Sequence, residues 1–362
     1  MKYQLAKTKL ENLVINFDRL RKPLSSRERE GMKGKYPYYG AACVFDYVND
    51  YIFDGDYILL GEDGTVLNSD GTPVLQRITG KTWVNNHAHV LRNSGLVDFD
   101  YLFYLLKNTS FVGAVTGAVQ PKISQANMNS VEVLYLPDKM VQKKIAALLK
   151  RIDRKILINE EIIECLLEQG LTLFNKFCTC ASRASQTFAT YRFGDLCPVK
   201  TGKQDAVIAD SNGIYPFFTC SQEVLRCNRY SFDGDAILVA GNGDFSVKFY
   251  KGKFEAYQRT YVLIPEKKKL HGLLFFAVKT NLRFITADAR GSVIKFITKG
   301  NLENFVFDGP TDLMDSILLD RFNVICTSIH SLEKENEKLS LCRDSLLPRL
   351  ISGEIDIDDI EV

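Results

Sequence analysis

The most constraining feature of this sequence is that it is written twice. Tyr36-Pro37-Tyr38-Tyr39 is answered by Tyr215-Pro216-Phe217-Phe218, and Phe53-Asp54-Gly55-Asp56 by Phe232-Asp233-Gly234-Asp235. Ile58-Leu59 is answered by Ile237-Leu238 and Gly64 by Gly243, all 179 residues apart. His89-Val90-Leu91 then matches Tyr261-Val262-Leu263, and Phe103-Tyr104 matches Phe275-Phe276, at an offset of 172. Gly117, Val119 and Ile123 match Gly291, Val293 and Ile297 at 174. Chance produces one aromatic-Pro pair, but not a collinear series whose offset drifts only by small insertions. One fold is therefore expected twice.

Each half ends in a helical seam. The first is Ile145, Leu149, Ile152, Ile156, Asn159, Ile163, Leu166, Gly170, Leu173 and Phe177. The second is Leu318, Phe322, Ile325, Ile329, Leu332, Asn336, Leu339, Arg343, Leu346 and Leu350, each position 173 later. The spacings alternate between four and three, which is the heptad pattern of a coiled coil. Such a helix spans about 50 Å at 1.5 Å per residue. A buried Asn in a seam costs stability and fixes register, so Asn159 and Asn336 read either as register devices or as polar residues at a solvated edge. Pro348 should end or kink the second helix about a turn early.

The organisation expected is a domain at 1–136, a helix at 137–178, a small polar linker at 179–190, a second domain at 191–309, a second helix at 310–352 and an acidic tail at 353–362. Short apolar runs after Asp-Gly turns (57–60 and 236–240) read as strands. Residues 247–264 read as two strands around Lys251-Gly252-Lys253, and 98–107 and 271–280 as short amphipathic helices. The fold class is α+β, with two similar domains separated by a long antiparallel coiled coil and related by a pseudo-twofold axis.

Composition narrows the partners. Hydrophobic residues make up 46% and charged residues 25%, so wholesale disorder is excluded. No apolar run reaches the roughly 20 residues that span a bilayer, and no secretory signal is visible. The nine cysteines form no CxxC pair and read as reduced thiols of a cytoplasmic protein. The net charge of +2 hides an asymmetry. The C-terminal stretch holds Glu354, Asp356, Asp358, Asp359 and Glu361 without a base, leaving a basic body that permits nucleic-acid binding.

No catalytic signature is complete in this sequence. Gly80-Lys81-Thr82 ends like a phosphate-binding loop, but Leu75 stands where the pattern needs Gly. Gly241-Asn242-Gly243 lacks the third Gly of a dinucleotide fingerprint, which is Ser246, and no helix is expected to open there. Asp138, Asp153 and Lys155 match a metal-nuclease string, but on the solvated side of a coiled-coil helix. His87 and His89 on one strand would point to one face, as paired metal ligands do. No third ligand has suitable spacing, so no metal is expected. No Ser-His-acid order stands out, and the Asn/Asp-Pro-Pro-aromatic string of amino-methyltransferases is absent.

The groups present suit a binding surface. Tyr38 and Tyr39, with Phe217 and Phe218, follow Pro and read as domain-edge aromatics or as a core pair. Asn85-Asn86-His87 and Gln258-Arg259-Thr260 sit at equivalent places, just before a strand. Asn and Gln can bond adenine bidentately, and Arg guanine, in the major groove. Glu62 is placed to accept from cytosine amino groups, while Lys122, Lys203, Lys295 and Arg290 are candidates for phosphate or base. His89, Asn242 and Tyr261 complete the DNA-contacting set.

Taken together these features resemble the specificity subunit of type I restriction-modification systems. The local strings resemble that family too: Tyr36-Pro37-Tyr38-Tyr39-Gly40-Ala41, Gly61-Glu62-Asp63-Gly64, Trp83-Val84-Asn85-Asn86-His87-Ala88-His89-Val90-Leu91, Gly194-Asp195-Leu196 with Thr201-Gly202-Lys203, and Leu346-Leu347-Pro348-Arg349-Leu350-Ile351-Ser352-Gly353-Glu354-Ile355. Leu10-Glu11-Asn12-Leu13 departs from the usual Gly-Asp-Leu opening. The resemblance implies a non-catalytic, cytoplasmic subunit in which each target-recognition domain reads one half of a split double-stranded DNA sequence. The helices set the gap and dock two methyltransferase subunits, with Lys139, Lys143, Lys144, Lys150, Arg151, Arg154 and Lys155 available for that contact or for phosphates. It further implies S-adenosylmethionine, ATP and Mg in the methyltransferase and restriction subunits, and none in this chain. The alternatives are the recognition subunit of a related methyltransferase-nuclease fusion system, or a coiled-coil scaffold with two protein- or ligand-binding domains.

Overall fold

The computed structural model describes residues 4–117, 119–179, 188–243, 245–287, 289, 295–315, 317–357 and 360. The chain divides into two units, residues 1–156 with 338–362, and residues 157–337. Each unit therefore takes one end of each long helix.

The first unit runs β1 (Ala6–Lys9), β2 (Val14–Asn16), α1 (Ser26–Gly31), β3 (Lys33–Tyr39), β4 (Val44–Val48), β5 (Phe53–Asp54), β6 (Tyr57–Gly61), β7 (Leu75–Ile78), β8 (Lys81–Val84), β9 (Ala88–Asn93), α2 (Phe99–Lys107), β10 (Val115–Thr116), β11 (Lys122–Ile123), α3 (Gln125–Ser130) and β12 (Glu132–Tyr135). The helix α4 (Lys139–Thr179) follows. Two four-stranded sheets form, in the orders β2-β9-β6-β7 and β4-β3-β8-β5. Successive side chains of a strand point to opposite faces, and β6 uses both. Ile58 and Leu60 enter the core that includes α2, while Tyr57 and Leu59 enter the cluster with Phe53, Val84 and Val90.

The second unit contains β13 (Phe188–Arg192), α5 (Phe193–Leu196), β14 (Val199–Thr201), β15 (Tyr215–Phe218), β16 (Leu225–Cys227), β17 (Phe232–Ala240), β18 (Val247–Ala256), β19 (Thr260–Leu263), α6 (His271–Ile285), α7 (Lys299–Glu303) and β20 (Val306–Pro310), and α8 (Leu318–Ile351) begins in it. Its sheet order is β14-β19-β17-β18-β15-β16. The duplication holds to the residue. Ile58–Arg77 and Leu59–Gln76 in β6/β7 become Ile237–Phe249 and Leu238–Lys248 in β17/β18. Ile58–Leu91 becomes Ile237–Leu263. The parallel contact Tyr39–Val84 becomes Phe218–Ala256. The two-core use of the central strand recurs as well, with Ile237 and Val239 on one side, Ala236 and Leu238 on the other.

Several local expectations are corrected. Lys251-Gly252-Lys253 is no turn: β18 runs through it, and the chain reverses at 257–259 instead. Gly234 and Gly252 face each other across the ladder with φ of +145° and +124°, a left-handed backbone that glycine alone adopts without cost. They let both strands bend without breaking. At the same place in the first unit, Gly55 and Gly80 exchange backbone hydrogen bonds, and there the strands do break. The second amphipathic helix extends to Ile285, and Tyr101–Leu106 of the first are all buried. Residues 311–315 are turn and 3₁₀ structure rather than helix. Pro348 does not end α8, which continues to Ile351. The stop comes from Gly353, at φ +71°, whose N–H donates to the Leu350 carbonyl, a left-handed glycine cap. The acidic tail is anchored by Ile357, buried in the first unit's core; Asp358, Asp359, Glu361 and most of the linker, 180–187, lie outside the described residues.

The helices α4 and α8 pack together and run antiparallel. Within the second unit Asn159 bonds Asn336 while Phe174 meets Phe322; within the first, Arg343 reaches Asp153. None of the twenty seam positions is exposed, including Ile145, Leu149, Ile152, Ile156 and Ile163 on α4 and Leu318, Phe322, Ile325, Ile329 and Leu332 on α8. Asn159 is fully buried, and its amide donates to Asn336 Oδ1 at 2.7 Å and Glu335 Oε2 at 2.9 Å. Asp153 is not solvated as expected: it accepts from Tyr104 and Arg343. Asp138 caps the start of α4 through the Met140 amide. The nuclease-like string is thus divided between a cap and a helix joint.

Candidate nucleic-acid interface

In each unit three segments are laced together at one end of the central sheet. Glu62 N–H donates to the His87 carbonyl, Ile123 N–H to the Glu62 carbonyl and Gly64 N–H to the Pro121 carbonyl, at 2.9, 2.9 and 3.1 Å. In the second unit Gly241, Ile297 and Gly243 donate to Arg259, Gly241 and Lys295 at 2.9, 2.9 and 3.3 Å. These are the same three bonds at the duplicated positions. The bridge Asp63–Lys122 likewise becomes Asn242–Phe296. The backbone frame is therefore common, and the side chains it carries are not.

The frame in the first unit carries a charged network. His89 is buried on β9, with Nδ1 2.6 Å from Asp18 Oδ2 and Nε2 2.8 Å from the Ile123 carbonyl. Both nitrogens face acceptors, so the geometry is satisfied by the doubly protonated ring. Arg21 donates to Glu62 at 2.5 Å and to the Ala88 carbonyl at 2.7 Å, and Lys122 lies 3.1 Å from the other Glu62 oxygen. Burial raises the Glu62 carboxyl, but the Arg21 hydrogen bond, the His89 charge and the Lys122 hydrogen bond outweigh it and hold the group below the usual range. Asp18 behaves alike: burial is outweighed by the hydrogen bond and charge of His89. Asp18, Glu62 and His89 bring ligand atoms within 4.8 Å of one another. Arg21 and Lys122 already neutralise these carboxylates, so the trio acts as an ion-pair network. The His87/His89 pair does not converge. His87 lies in the turn before β9 and bonds Asp63 at 2.7 Å, away from Asp18.

Among the described residues the second unit has no such network. Gly241 stands in place of Glu62, and a Cβ there would come within 2.3 Å of the Arg259 carbonyl. Tyr261 takes the place of His89, and its hydroxyl donates to the Ile297 carbonyl at 2.9 Å. Imidazole and phenol thus fasten the same carbonyl in the two copies. Gln258 and Arg259 are exposed and, with Tyr261, Phe296 and Lys299, line a shallow cavity of about 260 Å³.

A family model described as the type I restriction modification DNA specificity domain matches residues 12–168 and again residues 185–339. The chain belongs to this DNA specificity family. Its relatives include the type I restriction enzyme EcoDI specificity subunit of Escherichia coli, 36% identical over 179 residues, covering 48% of this chain and 40% of that one. A putative type I restriction enzyme specificity subunit of Haemophilus influenzae is 32% identical over 138 residues, covering 38% and 34%. The matched stretches thus span less than half of these relatives' lengths. The crystal structure of the type-I restriction-modification S subunit from M. genitalium superposes with a TM-score of 0.65 at 15% identity, covering 97% of this chain and 96% of that one, a likeness of fold.

In this specificity-family chain the frame gathers Glu62, Asn86, His87 and Lys122 in the first copy, and Asn242, Gln258, Arg259 and Lys295 in the second. Of these, Asn86, His87, Lys122, Gln258, Arg259 and Lys295 are exposed, as is Lys203. Other expected contacts go elsewhere. Tyr38, Phe217 and Phe218 are core residues, because β3 and β15 are flanked by strands on both sides. The Tyr38 hydroxyl accepts from Leu24 N–H instead of facing out. Tyr39 is half-buried, and Asn85, His89 and Tyr261 are buried. The Asn85 side-chain oxygen Oδ1 shapes the turn by accepting from His87 N–H. Arg290 lies outside the described residues. Asp18, Arg21 and Asp63 were not expected at the site. No local pattern marks Asp18 and Arg21, whose partners His89 and Glu62 are 71 and 41 residues away in sequence, and Asp63 meets His87 from 24 residues away.

Proposed function

We propose that this chain is the DNA-recognition subunit of a type I restriction-modification complex, with each domain reading one half of a bipartite duplex target. The observation that carries the reading is the common frame with divergent side chains. Glu62, Asn86, His87 and Lys122 in one copy are answered by Gly241, Gln258, Arg259 and Phe296 in the other. A single scaffold presenting two different sets of donors and acceptors suits two different half-sites. The paired helices set the gap between half-sites, since spacing follows protein geometry in twofold readers, and they dock two methyltransferase subunits. The chain itself does no chemistry. S-adenosylmethionine belongs to the methyltransferase subunits, which flip and methylate adenine, and ATP and Mg belong to the restriction subunits. No helix among the described residues is long and apolar enough to cross a membrane; a cytoplasmic location accords with the DNA partner.

Arg259→Ala tests the assignment. If the guanidinium reads guanine, discrimination at one base of one half-site falls by about 1–3 kcal/mol, measured by competition between target duplexes differing at single positions. A uniform loss over all sequences would make Arg259 a phosphate contact. No loss anywhere would remove this loop from the interface.

A further inference from the structure

The two copies differ where they face different bases, so a surface constellation they share should meet something both half-sites have in common. One exposed constellation is shared. Tyr36 and Tyr51 meet at 5.3 Å between ring centroids, and the Lys81 ammonium sits 4.5 Å from the Tyr51 centroid. In the second copy Tyr215 and Tyr230 meet at 4.9 Å, and the Lys253 ammonium sits 4.7 Å from the Tyr230 centroid. The residues correspond at the duplication offsets of 179 and 172. Both lysines are exposed, and neither tyrosine pair is buried. The acid across the strand is also shared, Asp54 opposite Lys81 and Asp233 opposite Lys253.

A ring held under an ammonium orders its long side chain without removing the charge. Lys81 begins β8 and Lys253 lies within β18, each on the strand that ends at the reading loop: Lys81 is four residues before Asn85, and Lys253 four before Tyr257. At about 3.3 Å per residue the ammonium-bearing end lies ~13 Å from the loop. That offset suits backbone flanking the bases a loop reads, and phosphates are the part of a duplex that does not change with sequence.

We propose that Lys81 and Lys253, each braced by its tyrosine pair, are equivalent phosphate contacts that hold the two half-sites in one orientation while the adjoining loops read them. Lys35, 5.4 Å from the Tyr36 ring, has Ile214 as its counterpart and lies outside the shared set. This inference rests on the DNA reading above.

The test uses the full chain co-purified with its methyltransferase subunits. The probes are a labelled duplex carrying the sequence found by mapping methylated adenines and a scrambled duplex of equal length. Binding is measured across a salt series. Lys81→Gln and Lys253→Gln should each make the slope of log affinity against log salt shallower by about 0.9, and together by about 1.8. Both duplexes should weaken by the same factor, with thermal midpoints unchanged. Lys81→Arg and Lys253→Arg should keep the wild-type slope. An unchanged slope in the Gln variants, or a loss confined to the mapped duplex, overturns the inference. Weakening with an unchanged slope would point to a contact with the methyltransferase subunits instead, and also overturns it. Should the wild-type complex fail to prefer the mapped duplex, the DNA reading itself fails, independently of the lysines.

Discussion

The joint between the first domain and the long helices is polar, and the corresponding joint of the second is apolar. In the first unit the Tyr104 hydroxyl donates to Asp153 Oδ2 at 2.6 Å, and Arg343 Nη1 donates to Asp153 Oδ1 at 2.7 Å. The positions equivalent to Tyr104, Asp153 and Arg343 are Phe276, Cys326 and Gly170. Phe276 and Cys326 are fully buried in one core cluster, and Phe276 lies over Gly170 so closely that a Cβ there would fall 2.0 Å from the ring. The three positions differ as a set because each choice depends on the others. A buried phenol needs an acceptor, a half-buried carboxylate needs a cation, and a phenyl ring without those partners needs room. Burial and the Asp153 carboxylate together raise the Tyr104 hydroxyl, keeping it a donor.

Exchanging parts between the joints should expose this dependence. The largest effect is expected from Gly170→Ala. Phe276 is held by Phe275 and Phe322 at 4.9 and 5.7 Å and has nowhere to move, so overpacking should cost about 3 kcal/mol. A thermal midpoint within a degree of wild type would mean that the ring gives way. Arg343→Gly should cost roughly 1.5–3 kcal/mol, because it leaves Asp153 with Tyr104 alone. Adding Tyr104→Phe and Asp153→Cys to that variant should recover part of the loss, read by denaturant midpoints. If the triple variant is less stable than the single one by the full sum of separate effects, the joint is not a coupled set.

A smaller contrast concerns the two loop frames. Asp18 and Glu62 are held below their ordinary values of 3.8 and 4.5, so their ionised forms stabilise the first loop frame above those values. The contribution disappears as pH falls through the lowered values. The second frame carries Gly241 instead. Below about pH 4.5, amide exchange at residues 61–64 and 122–123 should therefore accelerate relative to 240–243 and 296–297, once intrinsic rates are removed. Equal acceleration would assign the Asp18–Glu62 network no role in holding the frame.

Much of the architecture was legible because it rests on periodicity. The heptad seams and the drifting offsets needed no knowledge of contacts, and the strands followed from apolar runs beside Asp-Gly. The site was less legible. Asn86, His87, Gln258 and Arg259 stand out in the sequence because they precede a strand at duplicated positions, and the structure leaves them exposed there. Tyr38 and Phe217 were misplaced because an aromatic after Pro looks the same at an edge and in a core until the flanking strands are known. Asp18 and Arg21 carry no local signal; their role comes from long-range closure onto His89 and Glu62. Lys251-Gly252-Lys253 misled for a related reason, since only the facing Gly234 turns a reversal into a bend.

The central claim is one frame, used twice, reading two different half-sites. Its most direct test replaces residues 183–309 with the corresponding segment of another family member and maps methylated adenines in cells carrying the system. The account predicts a recognition motif in which one half changes while the other half stays as in the parent. A motif changed in both halves, or in neither, would contradict it.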